Sequence, residues 1–423
     1  MKQCAFTIVA KNYIGLGQIL GKSLQKHNPE IDFHIFVSDE FESVSQSLPK
    51  EVIMAKTVLR PSLSEEQWTD MAFKYDLTEF CTAIKPFCFE YIFSQGYKKA
   101  YYFDPDIYIF SSIHSISEAL DNHSMALTSQ VVGIHPFYTG EHPEWAMNVN
   151  GIFNLGFCAI RNDEWGMRIV EWWKERLRDQ AFADRSVGQF TDQKWMDWVP
   201  AFLGSQLYIL QSMGMNLAPW NFFEREVYQD SEGLLRVKNR TMDKPIHDDL
   251  LVFVHFAGYD YTQLKEGVIS RKRIEDLKEY DDITLISSLY RDAIVDNADI
   301  FDSFIDKSYS YATYDNGESI AAFHRRLYHG LESKPSDPFS THENSFYAAI
   351  KKKGMVIHDS IDGLSRKNMG NMNETKKKLS FFYRILFRLL GYKKYVMFLK
   401  SLYFYCRPEE HTFLINYSSK EKK

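Results

Sequence analysis

The sequence predicts an α/β fold built on a parallel sheet, and two observations carry that prediction. Ala5 to Ala10 is a short apolar run, Tyr13 to Lys26 follows at helical spacing, and Asp32 to Ser38 is a second apolar run. Strand, helix and strand within 40 residues form a βαβ unit. Apolar, aromatic-rich runs then alternate with helical stretches as far as Asp260, and the character changes beyond that point.

In the first unit, Ile14, Leu16, Ile19, Leu20 and Leu24 give the helix its apolar face. Gly15, Gly17 and Gly21 weaken it but permit close packing on a sheet. The turn Ala10-Lys11-Asn12-Tyr13 falls at the carboxyl end of the first strand, where open α/β sheets bind ligands. It is not a G-x-G-x-x-G turn, which argues against a dinucleotide site. Tyr13 either stacks a base or is an ordinary surface aromatic.

Ser64 to Tyr75 reads as a helix with a capping box on Ser64 and Gln67. Thr78 to Gln95 is a second helix, with a kink expected at Lys85-Pro86. Lys85 beside that kink is a candidate phosphate ligand or a solvated lysine. Tyr97 to Phe103 is a strand, followed by Asp104-Pro105-Asp106 and the apolar run Ile107 to Phe110. Two carboxylates between apolar runs are costly to bury unless a cation compensates them, and hard cations prefer carboxylate oxygens. The other reading is a solvated strand-end turn.

Further along, Ser124 to Val132 is a strand and Gly133 to Asn148 a loop long enough to serve as a lid. Ile152 to Ile160 is a strand interrupted by Asn154 and Gly156. Glu164 to Asp179 is a helix capped by Asn162 or Asp163, with Trp172 and Trp173 facing inward. Asp192 and Gln193 open another helix, where Asp192 either faces a ligand or only caps. Leu207 to Leu210 and Leu251 to Phe256 are the last strands. His255, at the end of the second, is a third metal ligand or a hydrogen-bonded core histidine.

Residues 1–260 form the expected catalytic domain, 261–350 a mostly helical accessory region, and 351–378 a linker. Residues 379–423 form a basic aromatic helical tail. Leu379 to Arg407 carries six basic residues and no acidic one, interleaved with Phe, Tyr and Leu. It reads as a helical pair at an anionic membrane surface, or as a hairpin packed on the protein. A net charge of −6 provides no general basic field for nucleic acid. Five cysteines without a C-x-x-C point to free, mostly buried thiols in a reducing compartment. The first residues read as a buried strand, so the expected location is cytoplasmic, peripheral at the inner face of the membrane through the tail.

Four pieces occur in order: Ala10-Lys11-Asn12-Tyr13, Asp104-Pro105-Asp106, Phe153-Asn154-Leu155-Gly156 followed by Asp192-Gln193, and His255-Phe256-Ala257-Gly258. The series resembles the metal-dependent GT-A glycosyltransferases, in particular glycosyltransferase family 8, over roughly Lys2 to Asp260. The resemblance implies a mixed, mostly parallel central sheet flanked by helices, with a helical C-terminal extension. It implies Mn²⁺ or Mg²⁺ on Asp104, Asp106 and His255. A nucleotide-diphosphate sugar would be held by Ala10, Asn12, Tyr13, Lys85, Phe103, Asp104 and Gly258. Asn154, Asp192 and Gln193 would line the donor sugar as catalytic residues, and transfer to a glycan or lipid-linked glycan would proceed with retention.

Two departures mark a divergent relative. Lys11 stands where the family has an acidic residue, and Tyr259-Asp260-Tyr261 replaces its Lys-Pro-Trp. An inverting variant would need a base such as Glu224, Glu226 or Asp260. A nucleotidyltransferase would want a Gly-rich basic loop that Lys11 to Gly17 lacks. A non-catalytic nucleotide-sugar or glycan binder is the remaining alternative.

Overall fold

The computed structural model describes residues 2–41, 48–135, 137–140, 142–240, 247–269, 280–356, 372–415 and 417. Two compact units are present. The first comprises Met1–Ser62 and Leu77–Tyr309, the second Leu63–Asp76 and Ser310–Lys423.

The first unit is built on seven strands: β1 (Gln3–Val9), β2 (Asp32–Val37), β3 (Val52–Met54), β4 (Lys99–Phe103), β6 (Met125–Ser129), β7 (Phe153–Arg161) and β8 (Leu207–Leu210). Their order is β3-β2-β1-β4-β7-β6-β8. Only β7 runs against its neighbours; the other pairings are parallel. This is the mixed, mostly parallel sheet expected, with the helices Ile14–His27, Lys85–Ser94 and Glu164–Leu177 among those flanking it. A small sheet joins β5 (Ile107–Ile109) to β12 (Phe253–His255) in antiparallel register, with His255 opposite Ile107. That register places the end of β12 beside the turn after β4.

The capping box at Ser64 forms as expected, and the segment 77–94 breaks into Leu77–Ala83 and Lys85–Ser94 with Pro86 in the first turn. Asp163 caps its helix through the Gly166 N–H. Several expectations need correction. Trp173 is buried, but Trp172 is half-buried and packs on Trp195 and Phe202. The loop 133–148 runs into a helix, Glu144–Asn150. An antiparallel sheet of β9 (Arg225–Gln229), β10 (Leu235–Asn239) and β11 (Asp248–Leu250) lies between β8 and β12. Its strands are rich in charge and bury mainly Val227 and Val237, so they lack the apolar run that marks a strand in sequence.

The first unit extends to Tyr309 because Leu264, Ile283, Ile286, Tyr290 and Ile294 share a core with Phe256 and Tyr259. The helix there is Asp281–Val295; residues 270–279 of the expected helical stretch lie outside the described residues.

In the second unit, Phe73, Leu327, Tyr328, Phe346 and Ile350 share a core. Arg325 is pinned by the carbonyls of Ala72, Phe73, Tyr75 and Tyr311. The helix Phe346–Lys352 and the helical run Met372–Tyr405 overlap the two ends of the expected linker; residues 357–371 lie outside the described residues. Cys4, Cys88 and Cys158 are buried, Cys406 is exposed, and none of the five cysteines forms a disulfide.

Candidate metal and ligand site

Three chain segments meet at the end of β4. The Ile107 N–H donates to the Asp104 carbonyl at 3.1 Å, closing a turn with Pro105 inside it. The Asp104 N–H donates to the Gly156 carbonyl of β7 at 2.7 Å, and the Phe256 N–H to the Asp106 carbonyl at 2.9 Å. Asp104, Asp106 and His255 are thereby gathered, with one ligand atom from each all within 4.8 Å of one another. His255 Nε2 lies 3.0 Å from Asp106 Oδ1 and 3.6 Å from Asp104 Oδ2. Two carboxylates with one imidazole can ligate a divalent cation, so the residues present fit one.

The electrostatics follow from burial and mutual proximity. Burial raises the Asp104 carboxyl above its ordinary range, despite Lys85 and His255 nearby. Burial acts the same way on Asp106, but His255 outweighs it and the carboxyl is lowered. His255 is raised because Asp106 and Asp104 outweigh its desolvation.

A ring of side chains orders these three groups. Tyr102 donates to Asp104 Oδ1 at 2.5 Å, and the Tyr261 hydroxyl lies 2.9 Å from Asp106 Oδ2. Trp220 meets His255 edge-on, with ring centroids 5.3 Å apart. None of these three was picked out from sequence. Tyr102 had a signal, since residues i and i+2 on a strand share a face and Asp104 follows two later. Trp220 had none.

The remaining expected site residues fall into two groups. Asn12 and Tyr13 line a pocket with Leu16, Tyr259, Asp260 and Tyr261 beside the Asp104–Asp106 turn. Gly258 has φ +77°, which favours glycine there. Ala10 is buried at the end of the β1 segment, and the Phe103 ring is wedged between Phe157 and Phe253 in the core. Lys11 turns its amine to the Glu40 carbonyl at 2.9 Å.

The other group is Asn154, Asp192, Gln193 and Lys85. Asn154 Nδ2 donates to Gln193 Oε1 at 3.3 Å, and Asn154 Oδ1 lies against His255. Lys85 is in direct contact with Asp192, at 2.5 Å, rather than facing it across a ligand-sized gap. Its amine also donates to the Leu155 carbonyl and sits over the Tyr102 ring. Burial alone would lower the Lys85 pKa; Asp192 and Asp104 hold it raised. Asp192 is not a helix cap: the short helix Lys194–Trp198 begins after Gln193, which makes no side-chain cap.

Among the possible bases, Glu224 is fully buried and bonded to His135 and Arg225, and Asp260 caps the helix Tyr261–Lys265. Glu226 pairs with Lys238. Among the described residues, Asn12 Oδ1, Asn216 Oδ1 and Trp220 Nε1 are buried without a hydrogen-bond partner. Such atoms are rare in proteins unless a ligand or water completes them.

No protein-family model matches the chain. The uncharacterized protein YfnF of Bacillus subtilis is 22% identical over 291 residues, covering 68% of this chain and 90% of its own. Among solved structures, the chain is similar to the galactosyltransferase LgtC in complex with donor and acceptor sugar analogs. That similarity has a TM-score of 0.41 at 15% identity, over 72% of this chain and 98% of the other. It is also similar to the glycosyltransferase GlyE of Streptococcus pneumoniae, with a TM-score of 0.36 at 13% identity, over 74% of this chain and 67% of the other. Mouse xyloside xylosyltransferase 1 is similar with a TM-score of 0.36 at 13% identity, over 53% and 90% of the respective chains.

Proposed function

We propose that this protein is a metal-dependent glycosyltransferase, moving a hexose from a nucleotide-diphosphate donor to a glycan or lipid-linked glycan with retention. The observation that carries the reading is the meeting of Asp104, Asp106 and His255 beside the pocket that holds Asn12 and Tyr13. A metal-ligating group adjoining an aromatic pocket at the carboxyl ends of β1 and β4 suits a nucleoside diphosphate.

In this reading Asn12 and Tyr13, with Tyr261 opposite, receive the base, and the Asn12 oxygen gains the partner it lacks. Asp104, Asp106 and His255 would hold Mn²⁺ or Mg²⁺. When bound, the cation offsets the charge of the departing diphosphate. Asn154 and Gln193 form the side of the site toward the donor sugar, with the Lys85–Asp192 pair fixing β7 behind them. Retention requires no separate base. The acceptor hydroxyl attacks on the face the diphosphate leaves, the bond to phosphate breaks, and the acceptor proton passes to the leaving phosphate. The burial of Glu224 and its bonds to Arg225 and His135 favour this over an inverting mechanism that uses Glu224 as base.

The test is thermal-shift screening against a panel of nucleotide sugars with Mn²⁺, followed by donor hydrolysis with the preferred one. Stabilisation and metal-dependent hydrolysis are expected, both lost in Asp106→Asn. Stabilisation without turnover on any acceptor would favour a non-catalytic binder.

A further inference from the structure

Between Lys376 and Arg407 the chain forms two helices joined at Gly391, whose φ of +68° breaks an otherwise continuous helical run. Across the break the Phe387 and Tyr395 rings lie 5.2 Å apart. Leu399 and Tyr383 line one cleft with Phe387, Tyr395, Arg384 and Arg388. The second helix therefore folds back along the first as a hairpin.

Among the described residues nothing buries this hairpin: no residue from Lys376 to Pro408 is buried. Its exposed side chains include Phe381 at 64%, Leu389 at 77%, Tyr392 at 75% and Phe404 at 65%. Soluble surfaces rarely expose so many large apolar groups together without a partner. The segment holds no Asp or Glu. Among the described residues, Arg384, Arg388, Lys393, Lys394 and Lys400 form no ion pair.

We propose that this hairpin is an interfacial membrane-binding element for anionic phospholipid. Its cations would meet lipid phosphates, with Arg384 and Arg388 placed to share one phosphate over the aromatic cleft, while Phe, Leu and Tyr enter the headgroup boundary. Charge complementarity selects this occupant. A second copy would bring like charges together, and an acidic macromolecule would leave the aromatics in water. No described helix is long and apolar enough to cross a membrane, which leaves binding at the surface as the mode for this element. The inference is independent of the enzymatic reading.

The test is cosedimentation of the full-length protein with vesicles of phosphatidylcholine alone or with about one-third phosphatidylglycerol, at low and high salt. Binding is expected only to the anionic vesicles, weakening as salt rises. Arg384→Glu with Arg388→Glu should reduce it on the order of tenfold or more. Phe381→Ser with Phe382→Ser should remove the binding that survives high salt. Unchanged thermal unfolding of both variants confirms that they are folded. Full-length protein that stays in the supernatant with every vesicle overturns the proposal. So does light scattering that finds a dimer which the serine variant dissociates, since the hairpin face is then a self-contact.

Discussion

Asn154 Oδ1 lies 3.2 Å from His255 Nδ1 and accepts from the Gly156 N–H at 3.2 Å. A backbone N–H only donates, so this atom of the amide is the acceptor, and His255 Nδ1 must carry the proton. Nε2, facing Asp106, is then the nitrogen available to a cation. Asn154 was expected to line the donor sugar; its oxygen is occupied in holding a metal-ligand candidate. Asn154→Leu should weaken Mn²⁺ binding by about 10- to 100-fold, as removal of a group orienting a ligating histidine does. Asn154→Asp keeps the acceptor and should bind within a few-fold of wild type. Calorimetry on the donor-free protein reads this directly. A sugar contact alone would instead leave metal affinity untouched and raise the donor KM.

Lys85 and Asp192 are a buried ion pair, 1% and 2% exposed at the side chain. Removing one partner strands the other charge in the interior. Lys85→Met should therefore destabilise the protein by about 3–5 kcal/mol, read by chemical denaturation. Lys85→Met with Asp192→Leu should recover much of that loss. A phosphate ligand with no structural part would give a stable Lys85→Met protein with weakened donor binding.

Glu224 accepts from the Val132 and Gly133 N–H groups, from His135 and from Arg225. Burial would raise its pKa, but Arg225 foremost and these hydrogen bonds hold it below the ordinary value. A depressed folded pKa gives stability that is complete above the unfolded value of about 4.3 and is lost as pH falls through the folded one. Glu224→Gln should cost about 3–5 kcal/mol at pH 7, and the gap to wild type should narrow below pH 4. Denaturation at the two pH values checks it. A gap that stays constant would mean that the charge contributes nothing.

The first βαβ unit was legible because its strands are buried on both faces and read as apolar runs. The Asp104–Asp106 turn stood out because charge in an apolar context demands an explanation, and the structure gathers His255 with it. Lys85 was singled out from its proline, but its pairing with Asp192 was not, since the two are 107 positions apart. Nor was the turn of Asn154 toward His255, which depends on the register of β5 with β12. The sheet β9 to β11 was missed because the only apolar side chains its strands bury are Val227 and Val237, the other buried residues there being the polar Arg225 and Asn239. Periodicity reports burial, and side-chain pairing over long sequence distances leaves no trace in it.

Gly156 offers a steric test of the whole arrangement. A Cβ built there would lie 2.4 Å from His255 Cε1, 2.6 Å from Nδ1 and 2.9 Å from Asn154 Oδ1. Carbon atoms do not approach so closely, so the imidazole must shift. Trp220 stands edge-on to that ring and β12 holds its backbone, which restricts the movement available. Gly156 carries no constraint of its own from a positive φ, so its need to be glycine comes from the histidine. Gly156→Ala should therefore displace His255 from Asp104 and Asp106 and lower Mn²⁺ affinity by at least tenfold, on the scale of disturbing a ligand's orientation. Gly156→Ala combined with His255→Ala removes the two closest contacts and leaves only the Asn154 amide, at 2.9 Å, to give way. It should recover thermal stability relative to the single variant while leaving metal binding weak. Recovery of stability without recovery of affinity identifies the histidine as the group that the glycine accommodates. If Gly156→Ala alone binds Mn²⁺ as wild type does, His255 is not a ligand and the metal group reduces to the two aspartates.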